Sequence, residues 1–211
     1  MKSLKIITSL VLVLVVSVVF AACGTNGIPT KPENPAGQNA EKGERKMENT
    51  FVKITLEDER EIVLETLPEY APMSVEFFLE LVEDKYYDGL TFHRAVEGFM
   101  IQGGSPNGDG IGGCGRTVKG EFASNGIENN LSHERGVVSF ARTNIKDSAS
   151  GQFFIMHDDG DFLDGEYAAF GRVVEGMEVV DEIAIRPTAN EMLIDKPVIK
   201  TVRVIKNYQA N

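Results

Sequence analysis

The sequence predicts a mainly β domain with two helices. Residues 51–56 alternate apolar and polar side chains, with Val52, Ile54 and Leu56 on one face, and residues 60–66 alternate in the same way. A period of two is typical of half-buried strands, and the charged segment between them predicts a hairpin turn. Further strands are predicted where short apolar runs are separated by turn residues, at 99–102, 136–141, 153–156 and 168–173, with a last strand at 198–206.

Two segments have the periodicity of helices. Pro72 opens the first, in which apolar residues recur at i, i+3, i+4 and i+7 from Val75, and proline is well tolerated in a first helical turn. The second lies within residues 174–185 and stops before Pro187. Many short strands with two helices indicate a closed or nearly closed β-structure with helical caps. The pattern by itself does not fix the order of the strands.

Residues 1–22 have the layout of a secretory signal peptide. Two lysines precede an uncharged apolar run, and two alanines stand immediately before Cys23. This ending resembles the lipobox of bacterial lipoproteins, in which the cysteine becomes the lipidated first residue, although Phe20 stands where leucine is usual. The alternative is an uncleaved anchor, because the run 6–22 lies at the lower length limit of a membrane span. Both interpretations predict an extracytoplasmic domain that is tethered to the cell membrane.

The rest of the chain divides into a linker and a domain. Residues 23–50 are predicted to be the lipidated cysteine and a flexible linker, because they contain almost no large apolar side chain. Such a linker has a root-mean-square reach of roughly 30 Å. Residues 51–208 are predicted to form a single globular domain. The net charge of the chain is −11, which argues against nucleic acid as a partner.

Three motifs follow one another in the domain. Residues 92–104 read FHRAVEGFMIQGG, residues 150–156 read SGQFFIM, and residues 161–172 read DFLDGEYAAFGR. In this order they resemble the cyclophilin family of peptidyl-prolyl isomerases, and the resemblance covers roughly residues 50–206. It implies a closed eight-stranded antiparallel β-barrel capped by two α-helices, and an enzyme that isomerises X-Pro peptide bonds in unfolded or proline-containing polypeptides.

The implied reaction needs few chemical groups. Rotation about an X-Pro bond interrupts amide resonance, with a barrier of ~18–20 kcal/mol, but makes and breaks no covalent bond. The enzyme needs an apolar slot for the proline ring and a donor that favours the twisted amide, so we expect no metal or other cofactor. The resemblance assigns the catalytic set to Arg94, Gln102 and Phe99, with Arg94 as the polarising group.

The resemblance also assigns a wall of substrate-binding residues. They are Met100, Phe140, Ala141, Arg142, Gln152, Phe154, Phe162, Leu163 and Tyr167. Ordinary core packing is the alternative for each aromatic residue taken singly. That alternative weakens where Arg94 and Gln102 accompany the aromatic residues, because a buried arginine needs partners. The adjacent Gly103 and Gly104 would permit close backbone packing behind this wall.

Three residues depart from the pattern that is common in the family. Phe162 stands where many members have tryptophan, Tyr167 where they have histidine, and Arg142 where asparagine is common. None of the three is the polarising arginine, so the activity is expected to survive. Cyclosporin is expected to bind with reduced affinity, because the tryptophan donates a hydrogen bond to it. The charge of Arg142 suggests a preference for acidic residues beside the proline.

A second function stays open at this point. The same groove could hold proline-containing segments as a chaperone or adhesin module, with incidental turnover.

Two other sequence patterns do not indicate a function of their own. The glycine repeat at 108–113 lacks the strand–turn–helix context of a dinucleotide site, and the acidic loop at 157–164 lacks the spacing of a calcium-binding loop.

Overall fold

The computed structural model describes residues 47–209. The predicted signal peptide, Cys23 and most of the predicted linker lie outside the described residues. The two helices are α1 Pro72–Glu83 and α2 Met177–Ala184. The strands are β1 Phe51–Leu56, β2 Glu61–Thr66, β3 Thr91–Val96, β4 Met100–Ser105, β5 Val137–Phe140, β6 Phe153–Met156, β7 Ala169–Glu175, β8 Thr188–Ala189, β9 Met192–Leu193 and β10 Ile199–Ile205.

All these strands belong to one sheet, in the order β10-β1-β2-β7-β5-β6-β4-β3-β9-β8. The start of β3 approaches the start of β10 through a single bridge between Thr91 and Val198, and Phe92 N donates to the Pro197 carbonyl at 3.0 Å. Within residues 47–209 no continuous ladder joins these two strands, so the predicted closure of the barrel is not confirmed. The sheet has 10 strands instead of the predicted eight, and the short hairpin β8–β9 accounts for two of them.

Alternation predicts the first strand correctly. Val52, Ile54 and Leu56 are buried and the residues between them are half-buried, so one face of β1 lies against the core. The two helices pack on different strands, α1 against β7 and β10, and α2 against β2, β3 and β4. No helix within the described part of the chain has the length and apolar character that a membrane span requires.

The N-terminus of α1 is held by a residue that is distant in sequence. Ala71, at the cap position, offers no side-chain hydrogen bond. Instead the buried carboxylate of Glu121 accepts from Met73 N at 3.0 Å, from Ser74 N at 2.7 Å and from Ser74 Oγ at 2.6 Å. The first N–H groups of a helix lack partners and the helix dipole is positive there, so a buried carboxylate is favourable at this place.

Phe140 belongs to the main core, which corrects its prediction as a groove residue. Its ring is 1% exposed and stacks on Phe170 with the centroids 4.6 Å apart. The register of β5 explains the difference, because successive side chains of a strand point to opposite faces. Phe140 pairs with Phe153, which lies in the same core, whereas Ser139 pairs with Phe154. The side of β5 that faces the groove is therefore the side of Ser139.

Candidate active site

A cleft of about 290 Å³ collects most of the predicted site residues. It is lined by Arg94, Phe99, Met100, Gln102, Ala141, Arg142, Phe154, Phe162, Leu163 and Tyr167. Of the predicted set, Phe140 lies in the core and Gln152 lines a neighbouring cleft instead. The tertiary structure thus brings together ten residues that are separated by up to 73 positions in the sequence.

Strand register places the polar and apolar sides of this cleft next to each other. Arg94 on β3 pairs with Gln102 on β4, and Gln102 pairs in turn with Phe154 on β6. Residues that are directly opposite on adjacent strands project from the same face of the sheet. The three side chains therefore form one row across three strands, with the guanidinium at one end and the phenyl ring at the other.

The floor of the cleft is apolar and buried. Met100, Phe154 and Leu163 are 1%, 4% and 6% exposed, and they belong to a small apolar cluster separate from the main core. Phe99 is half-buried at the rim, and its ring centroid lies 5.3 Å from that of Phe162, which is 71% exposed. The cleft thus combines a dry apolar floor with an aromatic rim that is open to solvent.

Backbone packing behind the wall is as close as the sequence predicts. Gly104 has φ +85°, and a Cβ there would lie 2.7 Å from the carbonyl oxygen of Gly151. At Gly103 a Cβ would meet the ring of Phe92 at 3.0 Å. Side chains at these two positions would push β4 away from its neighbours.

The guanidinium of Arg94 is held from two directions. Its Nη1 donates to Gln102 Oε1 at 3.2 Å and lies 3.8 Å from Met100 Sδ. Its Nε and Nη2 donate to a single oxygen of Glu191, Oε2, at 2.9 and 2.7 Å. Glu191 cannot be identified from the sequence, because nothing in its local pattern shows that the β8–β9 hairpin lies against β3.

Gln152 extends the polar row into a second cleft of about 330 Å³. Gln102 Nε2 donates to Gln152 Oε1 at 2.9 Å, and Gln152 Nε2 donates to the carbonyls of Gly110 and Gly112 at 3.0 and 2.8 Å. The same cleft is lined by further residues that were not predicted, namely Ile111, Thr143, Ser148 and Ser150. The unusual density of glycine at 108–113 is the sequence signal that could have indicated this wall.

Arg142 lines both clefts, but its guanidinium is engaged by the protein. Nε and Nη2 donate to the Glu166 carbonyl at 3.0 and 2.8 Å, and Nη1 donates to the Thr143 carbonyl at 2.9 Å. The group also lies over the rings of Phe122 and Tyr167, 5.1 and 4.6 Å from their centroids. Because its donors face these partners, the geometry favours a role in bracing the rim of the groove, and the preference for acidic substrates stays a prediction.

A Ser-His-Asp arrangement lies next to Phe154 of the cleft, whose ring stacks on His133 with the centroids 6.1 Å apart. His133 Nδ1 is 2.7 Å from Asp164 Oδ1, and His133 Nε2 is 2.8 Å from Ser139 Oγ. Burial lowers the pKa of His133, against the opposing effect of Asp164, so the ring is neutral at pH 7. A carboxylate only accepts, so Nδ1 donates to it and Nε2 accepts from Ser139. Ser139 is fully buried, so its hydroxyl is a structural donor instead of a nucleophile.

The chemistry available in the main cleft is narrow. The residues that line it include no Ser, Thr, Cys, His, Asp or Glu. Among residues 47–209 no group of three or more His, Cys, Asp or Glu is arranged to hold a metal ion. The cleft offers an apolar floor and oriented hydrogen-bond donors. Fold and site together define an antiparallel β protein whose surface groove suits an apolar ring next to a polar amide.

Comparison with known proteins identifies the family. The family model described as cyclophilin type peptidyl-prolyl cis-trans isomerase/CLD matches residues 51–207. Peptidyl-prolyl cis-trans isomerase B of Bacillus subtilis is 39% identical over 140 residues, which are 66% of this chain and 94% of that protein. The chain belongs to the cyclophilin-type peptidyl-prolyl cis-trans isomerases and is an enzyme of that class.

Solved structures agree with this assignment. A cyclophilin-type isomerase of Cryptosporidium parvum superposes with a TM-score of 0.69 at 28% identity, covering 76% of this chain and 100% of that one. The same protein, crystallised in the presence of the dipeptide Ala-Pro, gives a TM-score of 0.67 at 29% identity and covers 74% and 99% of the two chains. The mainly β cyclophilin fold with two helices is thereby confirmed.

Proposed function

We propose that the isomerase binds proline-containing polypeptides with the proline ring in the apolar cleft and Arg94 at the rotating bond. The observation that carries this proposal is the row of Arg94, Gln102 and Phe154 across three paired strands. The row holds a cation with free donor capacity at one end and a buried aromatic ring at the other, and both line the same cleft. The relative that was crystallised in the presence of Ala-Pro supports a proline-containing ligand.

The proposed mechanism is electrostatic. When the X-Pro bond twists, resonance is lost and the lone pair becomes localised on the proline nitrogen. A guanidinium N–H directed at this nitrogen stabilises the twisted amide more than the planar one, and only such differential stabilisation accelerates the rotation. Gln102, hydrogen-bonded to Arg94 at 3.2 Å, fixes the plane of the guanidinium. One N–H of Gln102 Nε2 is donated to Gln152, and the second can donate to the substrate backbone.

The apolar floor has a complementary role. Met100, Phe154 and Leu163 hold the ring while the preceding residue rotates, so that substrate motion is confined to one bond. Because these side chains are buried before any ligand binds, little ordering cost remains when proline enters. The half-open rim at Phe99 and Phe162 lets an extended chain pass on both sides.

We further propose that the enzyme acts outside the cytoplasm on exported polypeptides, held at the membrane by a lipid on Cys23. The support comes from the signal-peptide layout of residues 1–22 and the small residues before the cysteine. Exported chains arrive unfolded, and their X-Pro bonds equilibrate over tens to hundreds of seconds without catalysis. A linker with a reach of roughly 30 Å would let the domain meet these chains near the membrane.

Reduced affinity for cyclosporin is also proposed. Phe162 occupies the rim position where an indole N–H would otherwise be available, and phenylalanine has no donor there. The ring is 71% exposed, so an apolar contact with a ligand remains while the hydrogen bond is lost.

The catalytic proposal is tested by the rate of cis-to-trans relaxation of a short X-Pro peptide. The full-length chain in detergent is compared with Arg94→Ala and with the matched control Arg94→Lys, which keeps a charge but not the planar fork. We expect kcat/KM to fall by about 100- to 1,000-fold for Arg94→Ala, the loss typical of removing one preorganised donor. An Arg94→Ala enzyme with unchanged kcat/KM would refute the role of Arg94.

The proposal on location has its own test. Cells that express the protein are grown with a labelled fatty acid and then separated into membrane and soluble fractions. We expect labelled protein in the membrane fraction, and loss of the label in Cys23→Ser. Protein that stays in the membrane without any label would instead support the uncleaved anchor, and unlabelled protein in the soluble fraction would refute both forms of tethering.

A further inference from the structure

The turn that carries Glu191 departs from the usual chemistry of its type. Strands β8 and β9 are joined by a two-residue loop, Asn190-Glu191, whose φ values are 53° and 66°. Positive φ at both central residues defines a type I′ turn, and the second of them is most often glycine. Glutamate is poorly suited to this left-handed conformation, so the chain retains backbone strain here that a glycine would relieve.

The strained residue is fixed beside Arg94 by its own backbone. The Glu191 carbonyl accepts from Ala95 N at 3.0 Å, and the next residue, Met192, pairs with Arg94 across β9 and β3. The Cα of Glu191 therefore has a defined position next to the guanidinium. A side chain attached to such a fixed turn needs to order few bonds of its own to reach its partner.

The carboxylate contacts the edge of Arg94 that faces away from Gln102. Glu191 Oε2 accepts hydrogen bonds from both Nε and Nη2 of Arg94, while Gln102 Oε1 accepts one from Nη1. Acceptors on two edges fix both the position and the rotation of a planar guanidinium. The ion pair is half-exposed, so its contribution to stability is small. Its consequence lies in the orientation that it imposes on Arg94.

We propose that Glu191 is a positioning residue of the isomerase, held in a strained turn so that its carboxylate orients Arg94 toward the substrate amide. This inference rests on the proposed catalytic role of Arg94. It gives a reason for a glutamate at a turn position that favours glycine, because only a long acceptor at this Cα reaches the guanidinium. The expected signature is that relief of the strain stabilises the fold and impairs the catalysis.

The test compares three substitutions at residue 191 in the full-length protein in detergent. Glu191→Gly gives the turn its preferred residue and removes the acceptor. Glu191→Asn also suits the left-handed backbone but is one methylene, about 1.5 Å, too short to reach Arg94. Glu191→Gln keeps the length and a carbonyl oxygen without the charge. Thermal unfolding, kcat and KM for an X-Pro peptide are measured for each protein.

We expect Glu191→Gly to unfold at the same or a higher temperature than the wild type. Its kcat and that of Glu191→Asn should fall about tenfold to hundredfold with little change in KM, as for a misplaced catalytic group. Glu191→Gln should retain most of the wild-type kcat. Proton exchange at Arg94 Nε, followed by NMR, should be faster in the glycine and asparagine variants than in the wild type and the glutamine variant.

Other results would overturn the inference. Full kcat in Glu191→Gly and Glu191→Asn would show that Arg94 needs no such partner. An equal loss in Glu191→Gln would assign the effect to charge instead of position. Glu191→Asn should have no further effect in an Arg94→Ala background, and an additional loss there would indicate a role unrelated to Arg94. An Arg94→Ala enzyme that keeps wild-type activity would refute the catalytic role of Arg94 and this inference with it.

Discussion

Mild acid should destabilise the domain through His93. This residue lies on β3 beside Arg94 and is fully buried. Burial lowers the pKa of His93 from 6.5 to about 4, against the opposing effect of the Thr91 backbone. The nearby charges of Lys196 and Arg94 lower the pKa further, and Asp109 opposes them weakly. The folded protein therefore contains a neutral imidazole at pH 5 to 6, where an unfolded chain would bind a proton on the same ring.

The magnitude follows from the two pKa values. Between pH 6.5 and pH 4 the unfolded state binds more protons at this site than the folded state, so the free energy of unfolding falls as the pH falls. The two pKa values of His93, 6.5 and about 4, differ by about 2.5, and at 1.36 kcal/mol per pKa unit this difference corresponds to about 3 kcal/mol over the whole window. Most of this, about 2 to 3 kcal/mol, should be lost by pH 4.5.

The assay is chemical unfolding at several pH values between 7 and 4.5, with His93→Leu as the matched control of similar size. The control should lose about 2 to 3 kcal/mol less over this range than the wild type. His133, whose pKa is also lowered, is present in both proteins, so the difference reports His93 alone. Carboxylates whose pKa is lowered in the fold, such as Asp164 and Asp88, also weaken both proteins as the pH falls, but equally, so they leave the difference between the two proteins unchanged. Parallel pH dependence of the two proteins would refute the reasoning.

Three further predictions concern packing and ligand binding. Glu121→Ala should lower the free energy of unfolding by about 2 kcal/mol or more, because it leaves the first N–H donors of α1 without an acceptor. Glu121→Gln should lose less stability, and equal losses in the two variants would contradict the capping role. Phe140→Ala should lower the free energy of unfolding, measured by denaturant titration, by about 3–5 kcal/mol, as for a core ring, while KM for an X-Pro peptide stays unchanged. A large rise in KM would show that Phe140 contacts the substrate. Phe162→Trp should tighten cyclosporin binding measured by calorimetry, because it supplies an indole donor, and unchanged affinity would refute that explanation.

Local patterns in the sequence predict the regular elements well. Periodicity depends only on neighbours within one strand or one helix, as in the alternation of residues 51–56 and the apolar spacing after Pro72. Both elements begin at the predicted residue. The sequence also predicts the second helix and several strands, with ends that differ from the structure by a few residues. Ends differ because capping and pairing depend on partners such as Glu121 that lie far away in the sequence.

The resemblance to a family predicts residues of the site that periodicity alone does not. It assigns Arg94, Gln102 and Phe154, and the structure places these residues in one row of a shared cleft. It fails for Phe140, because whether a side chain faces the groove or the core depends on the pleat of β5 and its pairing with Phe153. A shift of one residue moves a side chain to the opposite face of a sheet.

The class of fold, the motifs of the cleft and the family can all be predicted from the amino-acid sequence, because strand alternation, helical spacing and short motifs are properties of nearby residues. Three features depend on the tertiary structure: the lack of a continuous ladder between β3 and β10 within the described residues, the hydrogen bonds from Arg142 to Glu166, and the contact of Glu191 with Arg94. The last pair is separated by 97 positions in the chain. Such contacts arise when separate hairpins dock, and docking depends on the packing of the whole sheet.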